Sequence, residues 1–138
     1  MKTRLVVCAC LLATVACDNS SSNSTSTSPS ASVVTETFAG SVDVAGSAFH
    51  PFTVALSGGQ VNVILTAAGP PSTIFMGLGI GTYSNSTCTL LSGGSVVTQA
   101  GATAQLSGTV NAGSYCVMVY DVGNQTAAVA YALTVTHY

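Results

Sequence analysis

Beyond the first eighteen residues, the groups able to do chemistry are His50 and His137, the carboxylates Glu36, Asp43 and Asp121, and the thiols of Cys88 and Cys116. Nucleophilic catalysis needs a nucleophile, a base and a group that orients the base. Serines abound, and His50 with Asp43 or Asp121 would make a dyad. His50 stands beside Pro51 in a strand-like stretch, however, where a solvated or edge-strand histidine is the expectation. His137, one residue from the C-terminus, is expected to be exposed. Paired carboxylates for glycoside hydrolysis would have to come from Glu36, Asp43 and Asp121, and no spacing marks two of them as partners. Asp121, before Val122-Gly123-Asn124, suits a turn-capping role. With Asn124 it offers calcium two ligands, far short of the about six to eight that ion takes. Neither histidine stands at ligand spacing from a cysteine, so a two-cysteine metal site lacks its other ligands. The chain reads as non-enzymatic, with no cofactor and no metal.

Charge narrows the partners. Lys2 and Arg4 are the only basic residues, so from Cys17 to Tyr138 the formal charge is −4, from Asp18, Glu36, Asp43 and Asp121. Nucleic-acid binding requires cationic side chains against phosphate, and none is present. Arginine clamps, lysine Schiff bases and a polybasic membrane contact are excluded for the same reason. A surface so weakly charged resists self-association poorly. The plainer account is that many exported β domains are simply rich in Ser and Thr.

The basic head Met-Lys-Thr-Arg, the apolar run Leu5 to Ala16 and the small-residue exit make a secretory signal, too short to span a bilayer permanently. The exit Thr14-Val15-Ala16-Cys17 resembles a bacterial lipobox, departing from it only at Thr14, where leucine is usual. That resemblance implies acylation of Cys17 and a lipid anchor in the cell envelope, at the inner or the outer membrane. The alternative is an ordinary cleavage, after Ala16 or a little later, with Cys17 incidental; a mature chain keeping an unmodified Cys17 would carry an unpaired thiol in an oxidising compartment. Cys8 and Cys10 leave with the signal, and Cys88 and Cys116 remain as an even pair in an exported domain, a predicted disulfide. With twenty-seven residues between them, the bridge is worth about 3–4 kcal/mol. Asp18 to Ser32 has almost nothing to bury. It is expected to be a flexible tether with a span of about 20 Å, so the division is signal 1–16, lipidated cysteine and tether 17–32, and domain 33–138. The sequons at Asn19, Asn23, Asn85 and Asn124 read as coincidence behind a bacterial lipobox.

From Val33 onward apolar residues alternate with Ser, Thr or Gly, and turn-forming clusters recur every eight to twelve residues. Strands are predicted at Thr35–Val44, Phe49–Leu56, Val61–Thr66, Ile74–Ile80, Thr87–Leu91, Ala102–Val110, Ser114–Val122 and Val129–Thr136. Turns are expected at Ser57-Gly58-Gly59, Gly69-Pro70-Pro71, Ser92-Gly93-Gly94, Asn111-Ala112-Gly113 and Gly123-Asn124. Eight short strands in one domain predict an all-β fold, a single antiparallel β-sandwich or a small barrel. The sandwich is favoured because the bridge would tie neighbouring strands, or the two sheets, together.

The run Ala112-Gly113-Ser114-Tyr115-Cys116-Val117-Met118-Val119-Tyr120-Asp121, closing on Tyr131-Ala132-Leu133-Thr134-Val135, resembles the last strands of the bacterial pre-peptidase C-terminal domain. Glu36-Thr37-Phe38-Ala39-Gly40-Ser41-Val42 and Phe52-Thr53-Val54 fit its first strands. The resemblance covers most of residues 35–136 and implies a jelly-roll-like, non-catalytic accessory domain. The family's acidic Asp-x-Asp-Leu segment is absent. Pro71 to Leu78 carries no acid, so any calcium role of that segment does not transfer.

These readings leave a surface binding or structural module first, a self-assembling surface or fibre subunit second and an enzyme last. Ligand chemistry on a sandwich collects on the loops at its ends. The nearest polar and aromatic loop residues are Tyr83, Asn85 and Thr87 before Cys88, and Asp121, Asn124 and Gln125 after the Tyr-Cys strand. An exposed Tyr83 among amides and carboxylates would stack on a sugar ring or dock a peptide. The alternative is that Tyr83 covers the end of the core.

Overall fold

The computed structural model describes residues 32–55 and 58–138. The signal, Cys17 and the tether up to residue 31 lie outside it, as do Leu56 and Ser57, where the second strand and first turn were expected to meet. All eight expected segments contain strands: β1 (Val34–Val42), β2 (Ser47–Val54), β3 (Gly59–Gly69), β4 (Met76–Ser84), β5 (Thr87–Thr98), β6 (Leu106–Val110), β7 (Gly113–Tyr120) and β8 (Val129–His137). They form two antiparallel sheets, ordered β1-β8-β3-β6 and β2-β7-β4-β5. The fold is a β-sandwich and does not close into a barrel.

Alternation decides which residues meet. Val129, Tyr131, Leu133 and Val135 all point to one face of β8, and Val61, Val63 and Leu65 to the same face of β3. The register sets Leu65 opposite Leu133 and Val63 opposite Val135. Across from them the second sheet contributes Phe52, Val54, Leu78, Ile80, Val117 and Val119. Burying a side chain of this size contributes about 1.5–3 kcal/mol, and this shared core holds the sheets together.

Where β1 and β2 close one side of the sandwich, the seam is polar and aromatic. His50 stacks on Phe38 with ring centroids 4.7 Å apart. The Tyr131 hydroxyl and His50 Nε2 share a hydrogen bond of 2.7 Å. His137 is buried, at 3% exposure, and its Nε2 donates to Glu36 Oε1 at 2.9 Å. The expectation of an exposed His137 is therefore corrected. Extending β8 to His137 gives that residue the parity of Val129, Tyr131, Leu133 and Val135, pointing it into the core, and the Glu36 carboxylate satisfies its ring.

Strand edges attract other chains, and a chain without lysine must blunt them by other means. Pro51 removes a donor from edge strand β2, while Glu36 turns its charge inward from edge strand β1. Edge strand β6 is five residues long. Edge strand β5 is interrupted: Gly79 pairs with Ser95 and Gly81 with Leu90, so Leu91 to Gly94 bulge out of the ladder. The turn expected at Ser92-Gly93-Gly94 is this excursion inside one twelve-residue strand.

Candidate functional site

The structure separates the four residues expected to form a ligand site. β4 runs the length of the second sheet, with Gly77 opposite Tyr120 and Thr82 opposite Tyr115. Asp121 and Asn124 follow Tyr120 at one end, and Tyr83 and Asn85 stand at the other. At about 3.3 Å per residue, roughly 20 Å divides them.

Asp121 is committed to the fold. Its Oδ2 accepts from Ala45 N at 2.8 Å, tying the β7–β8 loop to the β1–β2 turn. Its Oδ1 accepts from the N–H groups of Gly123, Asn124 and Gln125. The Ala45 N–H is the largest influence holding its carboxyl below the usual range; desolvation works the other way, and the three loop N–H groups add to the lowering. Four backbone donors make Asp121 a loop clamp. Asn124 donates to the Phe75 carbonyl at 3.1 Å and lines a cleft of about 260 Å³ with Pro70, Pro71, Phe75 and Thr126. Among the described residues no three His, Cys, Asp or Glu side chains gather as a metal site.

Tyr83 lies in β4, and Asn85 and Ser86, both at positive φ, form the two-residue turn into β5. Such a turn is what a tight hairpin between twisted strands demands. Tyr83 does not cover the core. Its ring is half-buried on the outer face of the second sheet, 6.1 Å from the ring of Phe49.

That outer face is the feature the sequence reading missed. Along β4 the inward positions are Met76, Leu78 and Ile80, and every outward position between them is glycine: Gly77, Gly79 and Gly81. Neighbouring side chains lie down in the vacated space. A Cβ on Gly77 would fall 2.2 Å from Cε2 and Cζ of Tyr120, so that ring reclines from β7 across its neighbour strand. Over Gly79 lies Leu90. Over Gly81 lie the Thr89 carbonyl, at 2.4 Å from such a Cβ, and Cys116 Sγ, at 3.1 Å. The first half of β5 thus curls over the outer face of β4.

The disulfide fastens this curl. Cys88 and Cys116 are bridged, with Cα atoms 5.8 Å apart. The bridge lies within one sheet and joins β5 to β7, which flank β4 in the hydrogen-bond order. The expectation that the bridge ties neighbouring strands, or the two sheets, together is corrected on both counts, because the curl brings next-nearest strands of one sheet together.

The uncovered part of the face carries Phe49, Met118, Tyr120 and Tyr83, with Val97 at its border; Phe49 is 37% exposed and Val97 53%. Around them Ser47, Thr53, Ser95 and Ser114 are exposed. Neither Tyr83 nor Tyr120 spends its hydroxyl on a hydrogen bond to a described residue, whereas Tyr115 and Tyr131 both do. The alternating Gly77-Leu78-Gly79-Ile80-Gly81 was the available signal: glycine weakens a strand interior unless something must approach its backbone closely.

The seam titrates in a definite direction. Burial lowers the His50 pKa from its ordinary value and raises that of Tyr131. The unfolded chain thus takes up a proton at His50 that the folded chain resists. The stability this neutral ring supplies is present above about pH 6.5 and is lost as pH falls through the lower folded value. Between pH 7.5 and 5, urea midpoints of wild type should fall more than those of His50→Gln. Parallel curves would show that the seam does not respond to acid through His50.

No protein-family model and no curated protein matches the chain.

Proposed function

We propose that this protein is a bacterial envelope lipoprotein, anchored through acylated Cys17, whose tethered β-sandwich is a non-catalytic binding module presenting the outer face of its second sheet. One observation carries the reading: aromatic and apolar side chains are laid out on an open sheet face instead of being folded into the core. Contiguous exposed apolar surface on an exported domain marks a place of contact. The groups with catalytic potential are spent elsewhere, with Asp121 in a loop clamp and Glu36 and His137 on each other. The blunted edges favour presentation over the fibre-subunit reading.

Both halves of the proposal can be tested in one bacterial host. Wild type should partition into the detergent phase and Cys17→Ser into the aqueous phase. The exported Cys17→Ser chain should be retained on immobilised envelope material, and adding Phe49→Ala with Tyr83→Ala should release it. Wild type in the aqueous phase refutes the anchor. Retention indifferent to the ring substitutions refutes the face.

A further inference from the structure

We propose that this face binds a neutral polysaccharide lying along the second sheet, an inference that rests on the binding-module reading and names its ligand class. A sugar ring offers C–H bonds on its faces and hydroxyls around its rim. Its complement is an aromatic ring lying along a surface, with hydrogen-bonding groups beside it. Tyr120 has that posture because Gly77 leaves room for its ring across the neighbouring strand. Outward rows follow one another about 6.8 Å apart along a strand. Tyr120 lies in the first row, Phe49 and Met118 in the second, and Tyr83 leans back to Phe49 from the far end. The strip is therefore about 15 Å long, suited to several linked rings.

Hydrogen-bonding capacity points the same way. The Tyr83 and Tyr120 hydroxyls are unspent on described residues, and Ser47, Thr53, Ser95 and Ser114 stand exposed around the strip. Charge selects against acidic polymers. None of these face residues is ionic, and the chain beyond Arg4 has no lysine or arginine to meet a carboxylate or sulfate. A second copy is the weaker candidate. Four strands about 4.8 Å apart and eight residues long make a face of about 500 Å², of which the rings occupy only a part. A stable dimer buries about 800 Å² on each partner.

The exported chain carrying Cys17→Ser is run through native gels containing hydroxyethyl cellulose, xylan or soluble starch, with polygalacturonate as the acidic comparison. At least one neutral polymer should retard it. Phe49→Ala and Tyr120→Ala should each weaken retardation about three- to tenfold, the range expected for one aromatic contact. Gly77→Ala should weaken it as much as Tyr120→Ala, because a methyl at residue 77 dislodges a ring that is still present. Tyr120→Phe keeps the ring and should retain most of the binding, which guards against a variant that merely unfolds. Thr37→Ala, on the other sheet, should change nothing. Retardation by polygalacturonate alone, by no neutral polymer, or equally for all variants overturns the proposal. So does a dimer, seen by light scattering, that Phe49→Ala and Tyr120→Ala dissociate. Envelope retention that needs the rings but is destroyed by protease and spared by glycosidases would overturn the polysaccharide while leaving the binding module standing.

Discussion

Reducing the Cys88–Cys116 bridge should lower the unfolding free energy by about 3–4 kcal/mol, measured by urea denaturation of the exported chain with and without reductant. The bridge closes a loop with a sequence separation of 28, and opening it returns that closure entropy to the unfolded chain. The loop holds β5 from Cys88 onward and all of β6, an edge strand from each sheet, so both edges on one side of the sandwich loosen together. A single cooperative transition should remain, because the core around Leu65, Leu133 and Val117 draws on strands outside the loop as well as within it. With the curl of β5 released, Tyr83 should also lose its placement against Phe49, and retention on envelope material should weaken. A loss below about 1 kcal/mol would mean that the reduced chain keeps the curl unaided. Outright unfolding would mean that the core is smaller than its buried side chains imply.

What was legible in the sequence was the alternation. In β3 the buried Val61, Val63 and Leu65, and in β8 the buried Val129, Tyr131, Leu133 and Val135, sit two positions apart, and a one-residue slip would turn the whole set to solvent. Those strands lie in the middle of their sheet, where packing on one face enforces the pattern. In β5 the edge position relaxes that constraint, so Leu91 to Gly94 read as a turn although the strand resumes beyond them. The tight turn at Asn85-Ser86 was missed because neither residue is glycine, yet both take positive φ.

The site was legible only in part, for a similar reason. Tyr83 stood out as a ring among polar residues, but its partner Phe49 lies on β2, and only the register of β2, β7 and β4 sets the two on one face. Asp121 was read correctly as a residue that holds a turn. Its further reach to Ala45, 76 residues earlier, comes from the packing of two loops. His137 was misjudged because position near a terminus says little about burial. Its parity within β8 was the better guide, and its acceptor lies 101 residues away in β1.

Gly81→Ala should cost about 1–3 kcal/mol, the range for forcing extra atoms into a packed site, and the cost should depend on the disulfide. A Cβ at residue 81 would stand 2.4 Å from the Thr89 carbonyl oxygen and 2.7 Å from its carbon. These are backbone atoms, so no rotamer change relieves the clash, and β5 itself must lift away from β4. In the bridged protein Cys116 holds Cys88 down, and lifting β5 strains the link. With Cys88→Ala and Cys116→Ala in place, the hairpin is free to open and accept the methyl. The double-mutant cycle should therefore show a coupling above about 0.5 kcal/mol, the scatter expected of independent sites, with Gly81→Ala cheaper in the unbridged background. Urea titrations of the four proteins supply the numbers. Equal costs in the two backgrounds would mean that hydrogen bonding between β4 and β5 alone holds the curl. The Gly77-Leu78-Gly79-Ile80-Gly81 alternation would then serve the placement of Tyr120 and Leu90, with no part in seating the bridge.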